Sequence, residues 1–185
     1  MIYLTRHGET DDNARRVVQG SIDTPLNDRG RDQARDLLGH LRHLGLVAIW
    51  TSHLSRASET AEIVGNALGI EPRVDERLAE SHRGSWEGRA LDDIEREEPS
   101  AWRAWQHAGR DFRFPGGGES LGEHQERVLA ALDDVRAAGV PALVVAHGGS
   151  IRVALCANHP AGLRAFWSIR VPNAELFALG EASLR

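Results

Sequence analysis

The sequence predicts an α/β fold, a mostly parallel sheet flanked by helices on both faces, and three observations carry that prediction. Short apolar runs at Ile2–Thr5, Val47–Trp50 and Ala142–Ala146 have the length and β-branched content of buried strands. Stretches of helical period alternate with them, as parallel strands joined by helical crossovers require. Each run also stops at residues able to do chemistry: Arg6-His7, Thr51 to Arg56, and His147-Gly148. Open α/β sheets bind ligands at the carboxyl ends of their strands, so three separate loops are expected to converge there.

Taken in order, the first strand gives way to Glu9–Asn27, an aperiodic stretch carrying Gly20 and Pro25 that reads as a long loop. Asp28 is placed to cap a helix whose apolar face is Ala34, Leu37, Leu38, Leu41 and Leu44, with Gly45 ending it. After the second strand, Leu54–Leu68 reads as a helix through Ala57, Ala61 and Val64, stopped by Gly69. Pro72 opens a short extended piece around Val74. One or two short helices are expected over Leu91–His107, ended by Pro115-Gly116-Gly117-Gly118. Ser120–Ala138 is a strongly amphipathic helix, and another is expected over Ile151–Asn158 after the third strand. Ile169–Val171 and Leu176–Leu179 read as one or two last strands. Nothing divides the chain, so residues 1–185 are read as one domain with a small lid or insertion around 82–118.

Composition narrows the function. Apolar residues make up 41% of the 185, ordinary for a globular domain. No apolar run is long enough for a membrane span and no secretory signal pattern is present, so a cytoplasmic protein without a membrane partner is expected. A net charge of −5 argues against a nucleic-acid partner. The single Cys156 excludes an internal disulfide framework. All 22 basic residues are arginine, which removes P-loop and Schiff-base lysine chemistry. Any anion site must then be built from arginine, histidine and backbone N–H groups. The pattern leaves monomer and homodimer equally open.

Convergence of the three loops would bring together Arg6, Arg56, His7 and His147. Gly148 and Gly149 begin a helix whose free N–H groups add to an anion site. Such a cluster is costly unless an anion occupies it, and a phosphoryl group fits in size and charge. No His-Glu-x-x-His is present, and His40 with His43 read as polar neighbours near a helix end, so no metal and no cofactor are expected.

Leu4-Thr5-Arg6-His7-Gly8-Glu9-Thr10 resembles the Arg-His-Gly signature of the histidine phosphatase superfamily, the phosphoglycerate mutase-like enzymes. Asn13, Gln19-Gly20, Asp23, Pro25-Leu26 and Gly30, Ser52-x-Leu54-x-Arg56-Ala57, Leu78-Ala79-Glu80 with Gly84-x-Trp86-Glu87-Gly88, Gly117-Gly118-Glu119-Ser120, and Ala146-His147-Gly148-Gly149-Ser150-Ile151-Arg152 continue it in order. The resemblance implies a three-layer fold, a phosphoglycerate mutase-like sheet, and roles for particular residues. His7 would attack phosphorus to give a phosphohistidine. Arg6, Arg56, Asn13 and His147 would hold the non-bridging oxygens, and Gln19, Gly20 and Gly148 would contact substrate. Glu80 would protonate the departing alkoxide with its pKa raised beside the phosphate, Glu87 and Glu119 being the alternatives.

Two positions depart from the family pattern. Arg83 stands where an aromatic residue is frequent, and Asp12 where tryptophan is common. Arg83 either extends the pocket's positive charge toward a second acidic group of the substrate or points to solvent. The acid motif and short middle segment resemble the compact phosphatase branch, which includes α-ribazole phosphatases and broad-specificity enzymes. The expected partner is a small-molecule phosphomonoester, hydrolysed without a metal. A phosphoglycerate mutase, a phosphohistidine protein phosphatase and a non-catalytic phosphate-binding module are the alternatives.

Overall fold

The computed structural model describes residues 1–179. Its centre is a five-stranded sheet of order β3-β2-β4-β1-β5, formed by β1 (Ile2–Arg6), β2 (Ala48–Thr51), β3 (Pro72–Val74), β4 (Ala142–Ala146) and β5 (Leu176–Leu179). All neighbours are parallel except β5, which runs antiparallel to β1. Every residue of β4 is buried, which is why it reads as an unbroken apolar run. Its side chains still alternate. Ala142, Val144 and Ala146 join one core, and Leu143 and Val145 the other.

Each core is roofed by helices. On one face lie α2 (Asp28–Asp36), α3 (Leu38–Leu41) and α4 (Ser55–Leu68), contributing Leu37, Leu41, Ala57, Ala61 and Val64. The other core takes residues from α5 (Leu91–Glu97), α6 (Pro99–Gln106), α7 (Leu121–Ala137) and α8 (Gly148–Cys156), among them Ile94, Trp102, Leu132 and Val153. Both faces of the sheet are therefore covered, as the alternation of elements predicts.

Four local expectations need correction. The Glu9–Asn27 stretch is not wholly loop: α1 (Asp11–Ala14) is a single turn held by a Thr10–Asn13 capping box. The cap of α2 is Asn27 rather than Asp28, its side chain accepting from the N–H of Gly30. Helix α8 starts at Gly148, not Ile151, because His147 is already extended and takes the capping position. Ile169–Val171 forms no strand, since arginine side chains take its carbonyls: Arg152 Nε donates to Ile169 O at 2.8 Å and Arg6 Nη1 to Val171 O at 2.9 Å.

The register sets the site. Arg6 pairs with Ala146, and Val145 with both Thr5 and Thr51, so β1, β4 and β2 end level with one another. His7, His147 and Ser52 follow those ends directly. Gly8 leaves that edge against the backbone of α2, where an added Cβ would stand 2.8 Å from Gly30 Cα. Its missing side chain serves that packing.

Candidate active site

The three loops surround an open cavity of about 150 Å³. Arg6, His7, Asn13, Gln19, Gly20, Arg56, Glu80, Arg83, Gly148 and Gly149 line it, together with Arg152 and an apolar side made by Val17, Val18, Leu91 and Trp105. Of the ten expected site residues, His147 alone is not on the wall. It lies behind His7, with ring centroids 5.2 Å apart, and shares a 2.7 Å hydrogen bond between its Nε2 and Ser52 Oγ.

His7 is held in one tautomer. Its Nδ1 lies 2.7 Å from the carbonyl oxygen of Gly8, which can only accept, so Nδ1 carries the proton and Nε2 keeps its lone pair. Burial, then Arg6 and Arg56, push its pKa well below the ordinary value, so the ring is neutral at pH 7. The backbone around it is pinned. Gly8 N–H donates to Thr60 Oγ1 at 3.1 Å, and Asn173 Nδ2 donates to His7 O at 2.9 Å and Asn13 Oδ1 at 3.0 Å. Thr60 falls with Ala61 in the motif that follows Arg56, whereas Asn173 carries no signal in the sequence, because it acts through a contact set by the fold.

Arg56 is buried at the start of α4. Its Nη1 donates to Ile22 O at 2.7 Å and its Nη2 to Gly20 O at 2.8 Å, so it anchors the loop that brings Gln19 and Gly20 to the cavity. The Nε atoms of Arg6 and Arg56 are buried without a partner. Burial, followed by the charge of Arg152, lowers the Arg6 pKa to about 10.

The three candidate glutamates separate cleanly. Glu119 is bound by Arg127 at 2.6 and 2.8 Å, and Arg127 also holds the carbonyls of Arg77 and Ala79. Glu87 accepts from the N–H of Ser21 at 2.7 Å and of Arg83 at 2.9 Å, tying two loops together. Only Glu80 of the three lines the cavity. Its Oε2 accepts from the N–H of Gly149 at 2.8 Å, and its Oε1 from the N–H of Ser81 at 2.9 Å and Arg83 Nη2 at 3.2 Å. The protein's own groups work against the raised pKa expected for it. Burial pulls it upward, but Arg83, the neighbouring His124 and His147 rings and the Ser81 N–H outweigh that and hold it well below the carboxylate range.

Two residues beside this cluster were not anticipated as site residues. Arg152 stands one turn along α8 from Gly148, the helical spacing that puts both on one face. His124, fully buried on α7, meets Ser150 Oγ at 3.1 Å and lies 4.0 Å from Glu80 Oε1. Arg83, whose direction the sequence leaves open, turns into the cavity with its guanidinium 4.5 Å from the Phe114 ring centroid.

Known proteins resemble the chain in sequence and fold. A structure of a mycobacterial glucosyl-3-phosphoglycerate phosphatase complexed with VO3 superimposes with a TM-score of 0.84 at 31% identity, covering 95% of this chain and 88% of that one. The α-ribazole phosphatase from Shigella flexneri gives 0.79 at 27% identity, covering 95% and 87%. A probable phosphoglycerate mutase of Salmonella paratyphi B is 40% identical over 149 residues, 80% of this chain and 69% of its own length. The family model described as histidine phosphatase superfamily (branch 1) matches residues 2–182, and the chain belongs to that superfamily.

Proposed function

We propose that the protein is a phosphomonoester hydrolase acting through a phosphohistidine on a small phosphorylated metabolite. One observation carries the reading. A histidine whose Nδ1 proton is committed to the Gly8 carbonyl lines the same cavity as Arg6, Arg56 and the carboxylate of Glu80. Its Nε2 lone pair would attack phosphorus, forming N–P as the ester P–O bond breaks. Arg6 and Arg56, with the N–H groups that open α8, would meet the charge on the phosphoryl oxygens. Their unpartnered Nε atoms fit that need.

Glu80 would give its proton to the departing oxygen and then take one from the water that cleaves N–P. Because the resting field favours the carboxylate form, the proton has to arrive with the substrate. A phosphomonoester ionises a second time near pH 6. Bound as the monoanion, it can pass that proton to Glu80 while becoming the dianion the arginines prefer.

The phosphatases among the related structures support hydrolysis, and the mutase name of the Salmonella relative supports transfer to a second acceptor. A rapid-quench experiment with labelled substrate tests the reading. The expected result is label on the protein that is acid-labile and base-stable, absent in His7→Ala, with inorganic phosphate released in step with turnover. A His7→Ala variant keeping about a tenth of the wild-type rate would overturn it. Label passing to phosphoglycerate in preference to water would replace hydrolysis by mutase chemistry.

A further inference from the structure

The His7 ring can attack only while its Nδ1 proton stays on the Gly8 carbonyl, because the hydrogen bond at one ring nitrogen decides what the other presents. A ring released from that carbonyl divides between its tautomers, and the share protonated at Nε2 has no lone pair for phosphorus. The nucleophile therefore depends on the groups that hold the Gly8 carbonyl still.

Two peptide units follow the Cα of His7, and each is gripped at both ends. In the His7–Gly8 unit the N–H donates to Thr60 Oγ1 at 3.1 Å, and the oxygen accepts from Asn173 Nδ2 at 2.9 Å. In the Gly8–Glu9 unit the N–H donates to Gln33 Oε1 at 2.8 Å. Its oxygen accepts from His7 Nδ1 at 2.7 Å and from Asn173 Nδ2 at 3.2 Å. The two N–H groups are thus held from separate helices, α4 and α2, while both carbonyls are held by the one amide of Asn173.

That amide reaches a third acceptor, Asn13 Oδ1, at 3.0 Å. Three oxygens around one atom fix it as the NH2 end of the side chain, since only that end donates. Asn13 is oriented in turn. Its Oδ1 also accepts from the Thr10 N–H at 3.3 Å and its Nδ2 donates to Gln19 Oε1 at 3.3 Å, which leaves a second N–H for the cavity that Asn13 lines. The segment carrying Asn173 is itself tied to the end of β1. Val171 O accepts from Arg6 Nη1 at 2.9 Å, and the Ala174 N–H donates to Arg6 O at 3.0 Å. Ala174 holds φ at 54°. A residue with a Cβ adopts that left-handed backbone at a cost, which persists where surrounding contacts over-determine it, and such positions gather at functional sites.

We propose that Asn173 is a positioning residue for phosphoryl transfer: it holds the Gly8 carbonyl that keeps His7 in the attacking tautomer, and it turns the Asn13 amide so that a donor faces the phosphoryl group. This rests on the phosphohistidine reading above and goes beyond it by naming what prepares the nucleophile before substrate arrives.

The experiment is NMR of the imidazole nitrogens in isotopically labelled wild type, Asn173→Ala and Asn173→Asp, the last keeping the size of the side chain while replacing its donors by acceptors. His7→Gln identifies the His7 signals among those of the nine histidines. At pH 7 the wild-type ring is neutral and should show a protonated Nδ1 and a bare Nε2. Both variants should lose that pattern and show a mixture or the opposite tautomer. Rapid-quench bursts add the kinetic readout. The burst rate constant should fall by roughly ten- to a hundredfold, the range for groups that orient a functional histidine through its other ring nitrogen. The factor should be the same for an alkyl phosphate and for p-nitrophenyl phosphate, because the attack is impaired and not the proton to the leaving group. A purely structural defect would lower the burst amplitude and leave its rate constant unchanged. Should one variant not fold, the other decides. A wild-type His7 protonated at Nε2, or variants that keep the wild-type ring pattern or burst rate constant, overturn the proposal. A wild type that takes no label from any phosphomonoester removes the phosphohistidine reading instead, and the tautomer in the variants still decides what Asn173 holds.

Discussion

Gly149→Ala is the sharpest single perturbation of the proposed acid. A Cβ at this position would stand 2.9 Å from Glu80 Cδ and 2.7 Å from Arg83 Nη2, and closer still to Glu80 Oε1. Since the Cβ is fixed to helix α8, the carboxylate has to retreat by roughly 1 Å before ordinary van der Waals contact is restored. That breaks the 2.8 Å bond from the Gly149 N–H. A misplacement of about 1 Å costs about a hundredfold, and general acid catalysis as a whole contributes about 10²–10⁴. Phosphorylation by an alkyl phosphate should therefore slow about a hundredfold. The burst with p-nitrophenyl phosphate should slow far less, because nitrophenolate leaves without a proton, and Glu80→Gln should share this pattern.

Stability should move little in the same variant. Alanine is favoured over glycine in a helix by about 1 kcal/mol, and a lost hydrogen bond to a charged group costs about 1.5–3 kcal/mol. The net is a fall in Tm of a few degrees for a chain of this size. Stopped-flow bursts with the two substrates and a thermal melt supply the comparison. Equal slowing of both bursts, or an unimpaired alkyl phosphate burst, would refute the placement of the acid.

Three further outcomes are expected. Inorganic phosphate or vanadate at a hundred times its Kd should stabilise the fold by about 2.7 kcal/mol, seen as a Tm rise of roughly 5–10 °C, and a melt indifferent to millimolar phosphate would count against the arginine pocket. Turnover should survive exhaustive dialysis against EDTA, since guanidiniums meet the phosphoryl charge; loss restored by added zinc or magnesium would contradict this. Acid should destabilise the fold through His7, His124 and His147, all buried with lowered pKa, that of His124 to about 3. The unfolded chain, titrating near pH 6.5, binds more protons below that value, so this stability is complete above pH 6.5 and is lost as the pH falls toward the folded values. The free energy of unfolding from denaturant melts should be lower at pH 5 than at pH 7, His124→Gln should narrow that gap by roughly 2 kcal/mol, and a flat profile would rule the effect out.

What the sequence made legible follows from where the information lies. Arg6, His7, Arg56 and His147 sit at the ends of apolar runs or on the first turn of a helix, so their neighbours along the chain announce them. Arg152 was hidden by its periodicity: it reads as one more polar residue on α8, and only the packing of that helix decides which face meets the cavity. His124 was hidden for the opposite reason, a polar residue on the buried side of α7 whose partner, Ser150, comes from another helix. Val171 and Ile169 have strand composition, but the arginines that take their carbonyls are distant in sequence. The low pKa of Glu80 belongs only partly to this class: Arg83 and the Ser81 N–H are its neighbours along the chain, whereas His124 and His147 reach it through tertiary contact.

The order of strands has a consequence for how the enzyme comes to exist. β1 leads directly into His7, the proposed nucleophile, and is made first, yet its two neighbours are β4 and β5, whose residues follow it by more than 130 positions. At a synthesis rate of about 5–20 residues per second, the strand waits for several seconds at least before either partner emerges. During that time Ile2, Tyr3 and Leu4 are an apolar edge with nothing to pair. Long-range parallel pairing is also slow to form, because the closure entropy of the intervening chain is lost before the contacts reward it. A nascent chain therefore holds every side chain of the proposed catalytic set except His147 well before it can hold any of them in place, and reactivity should switch on late and all at once when β4 inserts between β2 and β1.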